Sequence, residues 1–201
     1  MESLFRILVN LAGALGAALF AQATLRYYLQ TRTLIGGALV VEQTWFIVAF
    51  LVRRPARSVS WSPASWLLAF GGTFAGVLLR PVGEHPQWGL DLGLAVQLAG
   101  LALCIASLLC LGRSFGFVAA DRGLVTRGPY GVVRHPVYAS YLLIQTGYLL
   151  QSLSLWNLLV ILTAAACNAG RALAEERLLA GSSPYLAYRR AVRWRFVPGV
   201  W

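Results

Sequence analysis

The chain reads as an all-α integral membrane protein, with about four transmembrane helices, a C-terminal helical hairpin and a cytoplasmic tail helix. Three observations point there. Hydrophobic residues fill 58% of 201 positions and charged residues only 12%, against about a quarter charged in an ordinary soluble domain. The apolar residues gather into runs that each approach the ~20 residues needed to cross a ~30 Å hydrocarbon layer. All 17 basic residues are arginine, and they sit in short segments between those runs. The absence of lysine excludes lysine Schiff-base and lysine nucleophile chemistry. A formal charge of +10 distributed in this way suits lipid headgroups and topology control, and it argues against nucleic acid as a partner. One membrane-embedded domain over residues 1–201 is expected, with spans in 1–111 and a second half in 112–201.

The first apolar run covers about residues 5–21. It lacks a distinct basic region and a small-residue cleavage site, so it is expected to stay as a span and not leave as a signal peptide. The second, about 34–52, carries Glu42 and Gln43 mid-span, where a carboxylate is costly. They either bond a neighbouring helix or line a tunnel. The third, about 64–79, contains Gly72 and Gly76, a small-xxx-small pair that permits close helix approach. The fourth covers about 90–111. Residues 112–136 then turn polar and rich in glycine and arginine, too long for a minimal turn.

Two shorter apolar runs follow, about 137–150 and 155–169, broken by Gln151, Ser152, Ser154 and Asn157. They predict a hairpin that enters from one face and returns to it. From about Arg171 the sequence is charged and amphipathic. Its final arginines 189, 190, 193 and 195, with Trp194 and Trp201, read as an interfacial anchor. Cys104, Cys110 and Cys167 lie in apolar stretches without metal-ligand spacing and read as small buried hydrophobes; no metal is expected. His85, in a short outer loop, reads as solvent-exposed.

Arginine placement sets the orientation. With the N-terminus cytoplasmic, Arg6, Arg53, Arg54, Arg57, four arginines of the 112–136 loop and six of the tail lie inside. Only Arg26, Arg32 and Arg80 lie outside, as the positive-inside rule favours. That orientation puts the loop and the tail together on the cytoplasmic side.

The stretch RGPYGVVRHPVYASY, residues 127–141, joins the polar loop to an apolar run. Pro136 suits the first position of a helix, which places His135 at the junction and Tyr138 on the first turn. A cation, an imidazole and a phenol thus meet at the membrane border. Farther on, Arg171 and Glu175 are four apart and share one helix face. Facing His135 and Tyr138 they would complete a polar pocket; otherwise they form a solvated surface pair.

Taken together, LVTRGPYGVVRHPVYASYLL, then EERLL, then PYLAYRR and a final FVP resemble the isoprenylcysteine carboxyl methyltransferase family. The related membrane phospholipid N-methyltransferases are similar. The match covers roughly residues 112–198, and the first hundred residues carry no motif. The resemblance implies methyl transfer from S-adenosylmethionine to a lipophilic or prenylated acceptor. It places cofactor contacts at Gly123, Leu124 and Val125, then at Tyr130, His135, Pro136, Tyr138 and Glu175, with Arg171 facing the acceptor. The sequence departs from the family pattern at AGSS, between EERLL and PYLAY, and at RFVPGVW, which form the rim where an acceptor would be selected.

The residue types suit that chemistry. A carboxylate acceptor is ionised at neutral pH and needs a cation to orient it, a role for Arg171 or Arg134. An amine acceptor needs a base, a role for His135. Two alternatives accompany this reading: a phospholipid or small-amine N-methyltransferase, and a non-enzymatic transporter or scaffold.

Overall fold

The computed structural model describes residues 2–81 and 87–201, with side chains from residue 7 onward, so His85 and the side chain of Arg6 lie outside the described residues. Seven helices are present among them: α1 (Glu2–Thr31), α2 (Leu34–Val52), α3 (Pro63–Phe74), α4 (Gln87–Leu111), α5 (Pro136–Gln151), α6 (Leu155–Leu179) and α7 (Ser183–Ala191). A 3-10 turn, Ala75–Leu78, prolongs α3. Helix pairs α1–α2, α3–α6 and α4–α5 form the main packing units.

Among the described residues, four stretches are long and apolar enough to cross a membrane: Ile7–Thr31, Leu34–Val52, Gln87–Ser114 and Leu155–Leu179. The number agrees with expectation, but the membership differs. The third expected span is only the short Pro63–Leu78 segment. The second arm of the hairpin is instead a full 25-residue helix. Its expected end near residue 169 is overrun because RALAEERLL, after Gly170, is made of good helix formers. Arg171, Glu175 and Glu176 therefore stand on the last turns of α6, and the separate tail helix is α7. The first helix also runs ten residues past its apolar stretch, to Thr31.

The hairpin tip lies level with the far ends of α3 and α4. Asn157 Nδ2 donates to the carbonyls of Arg80 (2.8 Å) and Ser152 (2.7 Å), and its Oδ1 accepts from the Arg80 amide at 3.0 Å. Glycines let α5 lie on α4 backbone to backbone. A Cβ at Gly147 would stand 2.5 Å from the Gly93 carbonyl oxygen and 2.7 Å from the Gln97 amide nitrogen. Of the expected small-residue pair, Gly72 is used, since a Cβ there would collide with Asn168 of α6; Gly76 meets nothing. Ala49, Cys104, Leu108 and Phe115 form a buried cluster that fastens α2, α4 and the loop after α4.

Two loops at the opposite end are joined edge to edge. The antiparallel ribbon of β1 (Ser58–Val59) and β2 (Ala120–Asp121) is extended by Arg54 N to Arg113 O (2.7 Å) and Ser60 N to Ala119 O (2.9 Å). The tail after α7 lies along the start of α5: the Arg134 and His135 amides donate to the carbonyls of Trp194 (2.8 Å) and Arg195 (2.9 Å). Residues 53–62, 112–135 and 192–201 thereby gather at one end of the bundle, and the site forms there.

Candidate active site

Local geometry is fixed first by glycine and proline. Gly123 holds φ +99, a region open to glycine, and its amide donates to Asp121 Oδ1 at 3.0 Å. Pro136 is fully buried at the first position of α5. The His135 carbonyl accepts the amides of Tyr138 and Ala139, both at 3.1 Å, so His135 caps the helix as the sequence suggests. On α7, Tyr188 donates its hydroxyl to the Tyr130 carbonyl at 2.8 Å and pins the RGPYG turn.

His135 stands between two carboxylates. Its Nε2 lies 3.2 Å from Glu176 Oε1 and its Nδ1 lies 3.6 Å from Glu175 Oε2. Burial alone would lower the imidazole's proton affinity, but hydrogen bonds and charge from both glutamates outweigh it and raise the pKa. Glu176 also receives Arg134 Nε at 2.9 Å, Arg195 Nε at 3.1 Å and Arg195 Nη2 at 3.2 Å. It is 6% exposed and enclosed by positive charge. Glu175 is more open and accepts the Tyr138 hydroxyl. Phe196 of the tail packs edge-on against His135 and Tyr138, with centroids 6.0 and 6.2 Å away.

Arg171 is buried and sits over the Tyr138 ring, 5.0 Å from its centroid. Its Nη2 donates to the Phe117 carbonyl at 2.9 Å, and its Nη1 reaches Thr73 Oγ1 at 3.3 Å and Asn168 Oδ1 at 3.4 Å. Arg171 and Glu175 do not form a solvated surface pair: both face a cavity with His135 and Tyr138, and Arg171 bonds to α3, to α6 and to the loop.

These groups border a cavity of about 1190 Å³. That volume exceeds the 300–1,000 Å³ usual for one drug-sized ligand. Its upper wall includes Gly123, Leu124, Val125, Tyr130, His135, Tyr138, Arg171 and Glu175; its deeper part runs between Gly13 and Phe20 of α1, Phe46 of α2, and Phe70 and Phe74 of α3. Glu42 and Gln43 line the deep part, and Glu42 accepts Cys104 Sγ at 3.1 Å. For Glu42, the two roles left open by the sequence thus hold together.

Two expected site residues need correction. Pro136 does not face the cavity; it is sealed beneath the first turn of α5 and sets where that turn begins. Arg134 touches the cavity wall, but its Nε and Nη1 are committed to Glu176 and to the carbonyls of Val192 (2.8 Å) and Arg193 (2.7 Å). It clamps the tail and offers no fork to an acceptor. The tail is no simple interfacial anchor either: Arg195 binds Glu176, while Arg189, Arg190 and Arg193 are exposed. Sequence reasoning missed Glu176, Arg195 and Phe196, although the doubled glutamate of EERLL marked a helix with one acid too many for a single partner.

Residues 88–182 match the phospholipid methyltransferase family model. The matched segment takes in α4, the polar loop, α5 and α6, and stops before α7. Among solved structures, the chain is similar to the eukaryotic intramembrane Ras methyltransferase ICMT (isoprenylcysteine carboxyl methyltransferase) without a monobody. The two share 22% identity at a TM-score of 0.53, over 82% of this chain and 66% of that one, just under two thirds of its length. The intramembrane ICMT fold is therefore present, and the resemblance carried by the RHPVY and EERLL motifs is borne out. Comparison with curated proteins finds no match.

Proposed function

We propose that the chain is a membrane methyltransferase that uses S-adenosylmethionine, at the cytoplasmic border of the bilayer, to methylate the carboxylate of an isoprenylcysteine-like lipophile. One observation carries the reading: the HPxY corner and the EE pair, 37 or more residues apart, meet through Tyr138–Glu175 and His135–Glu176 at the head of a cavity that continues between apolar helices. The residues fit a sulfonium nucleotide. Glu175 is an acceptor for ribose hydroxyls or an amino group, and Tyr138, whose ring already carries Arg171 and His135, lines the same wall as Gly123, Leu124 and Val125.

When bound, S-adenosylmethionine supplies the methyl group and a neutral thioether leaving group. The protein's part is positioning and exclusion of water. Tyr138, set by Arg171 on one side and Glu175 on the other, fixes that wall. Phe196 shields it from the tail side. The apolar cleft between α1, α2 and α3 holds the lipophilic part, with access from the lipid between helices. A carboxylate oxygen attacks without first losing a proton, so no general base is needed.

The N-methyltransferase reading is favoured by the family model that matches residues 88–182. It needs a base, and His135 serves poorly, since two carboxylates hold its proton. Isothermal titration of the purified protein with S-adenosylmethionine and S-adenosylhomocysteine tests cofactor use; heat from neither would end the methyltransferase reading. Mass analysis of the product formed from a farnesylcysteine analogue then separates an ester from a methylated amine.

A further inference from the structure

The arginines around the cavity differ in what they bind. Arg134 and Arg195 are neutralised by Glu176, and Arg171 donates to three oxygens and leaves Nε alone unmade. Among the described residues Arg122 has no such partners: its Nε and Nη1 are buried from solvent and make no hydrogen bond, although the residue lines the cavity. Its neighbour Asp121 is spent on the Gly123 amide. The groups facing Arg122 are the cation Arg53, which donates its own Nε to Asn10 Oδ1 at 2.7 Å, and, across the cavity, Glu175. Arg54 approaches the same turn, its Nη1 3.7 Å from where a Cβ on Gly123 would stand.

The guanidinium is held in place. Its backbone follows directly on the β1–β2 ribbon, its carbonyl accepts Ser114 Oγ at 3.2 Å, and its Nη1 occupies the space that a side chain at Gly116 would need. Desolvation and Arg53 lower its pKa to about 10, so it remains charged at neutral pH. A buried donor left unmade costs stability, the more so when charged. A charged guanidinium held at a cavity wall, with donors still unmade, is arranged for an anion that arrives with a ligand.

We infer that Arg122, backed by Arg53, is an anion-binding residue that holds a carboxylate or phosphate carried into the cavity. Resting on the methyltransferase reading, the anion has two sources: the headgroup of the lipophilic acceptor, or the methionine carboxylate of the cofactor. The site then selects anionic ligands over neutral ones of the same shape.

The test uses the full-length protein in non-ionic detergent, as wild type, R122Q and R127Q, the last altering an exposed arginine of the same loop. Affinities are measured for dodecanoate and dodecanol in the presence of S-adenosylhomocysteine, and for S-adenosylmethionine and its decarboxylated form. If the acceptor supplies the anion, wild type prefers dodecanoate by about tenfold, R122Q loses the preference, and cofactor affinity is unchanged. If the cofactor supplies it, R122Q loses about tenfold for S-adenosylmethionine and nothing for the decarboxylated form. Either result supports the site, with R127Q behaving as wild type. The thermal midpoint of R122Q should match or exceed that of wild type, since an unpaired buried cation has gone. Unchanged affinities in R122Q, equal losses in R127Q, or a collapsed midpoint would overturn the inference. Failure of wild type to bind any adenosyl ligand, with the dodecanoate preference intact, would instead count against the methyltransferase reading alone.

Discussion

The two walls of the cavity are built on opposite electrostatic plans. On the α5–α6–tail wall most strong charges have an opposite: Arg134, Arg195 and His135 surround Glu176, and Glu175 faces His135 and takes the Tyr138 hydroxyl, while Arg171 is held by three neutral oxygens. On the wall formed by residues 53–57 and 122, arginines stand together without a carboxylate bound to any of them among the described residues, and Arg122 has two donor atoms unmade. The first wall owes its stability to internal pairing. The second is left for a ligand to complete. The difference teaches that burial and charge alone do not locate a site; whether the charge is already answered does.

The largest break in this contrast should come from Glu176→Ala. It strips the buried carboxylate from two arginines and a histidine, at a cost of about 3–5 kcal/mol, and the thermal midpoint in detergent should fall by many degrees. A change of a degree or less would mean that the pairing contributes nothing. Next, Gly147→Ala pushes a methyl into the Gly93 and Gln97 backbone; overpacking there should cost about 1–3 kcal/mol, read from the same melt. That experiment sharpens the comparison by showing what pure packing loss looks like, with cofactor affinity little altered in the protein that remains folded.

Glu175→Gln probes the neighbouring carboxylate. It should weaken S-adenosylmethionine binding by about tenfold while lowering the midpoint far less than Glu176→Ala does. Equal effects of the two substitutions on stability would erase the distinction between the adjacent acids. The smallest effect concerns pH. Because His135 has a raised pKa when folded, its contribution is fully present below the unfolded value of about 6.5 and is lost as pH rises through the folded value. Melts from pH 5.5 to 9 should show wild type losing stability relative to His135→Gln as pH rises; parallel curves would contradict this.

Much of the scaffold was legible in the sequence. The second apolar run coincides with α2 at both ends, and Pro136 marks the start of α5. The polar loop and the hairpin were foreseeable from composition and spacing, whereas the meeting of HPxY with the EE pair followed only from the family resemblance, since spacing alone left Arg171 and Glu175 either in a pocket or as a solvated pair. The length of α6 was not, since hydropathy changes near residue 170 while helix propensity does not. Nor was the division of labour between Glu175 and Glu176. Adjacent residues on a helix point about 100° apart, and the arginines that answer Glu176 lie 19 and 42 positions away. The ribbon of two residues per strand is too short to leave any periodic trace.

That ribbon has a mechanical consequence. By stitching the link between α2 and α3 to the one between α4 and α5, it turns two separate crossings into a single stiff plate. A nudge applied at Ser58 is handed on to Asp121 and so to the guanidinium one residue later. The first two helices, which hold none of the recognised motif, can thereby tune the headpiece through a seam of hydrogen bonds.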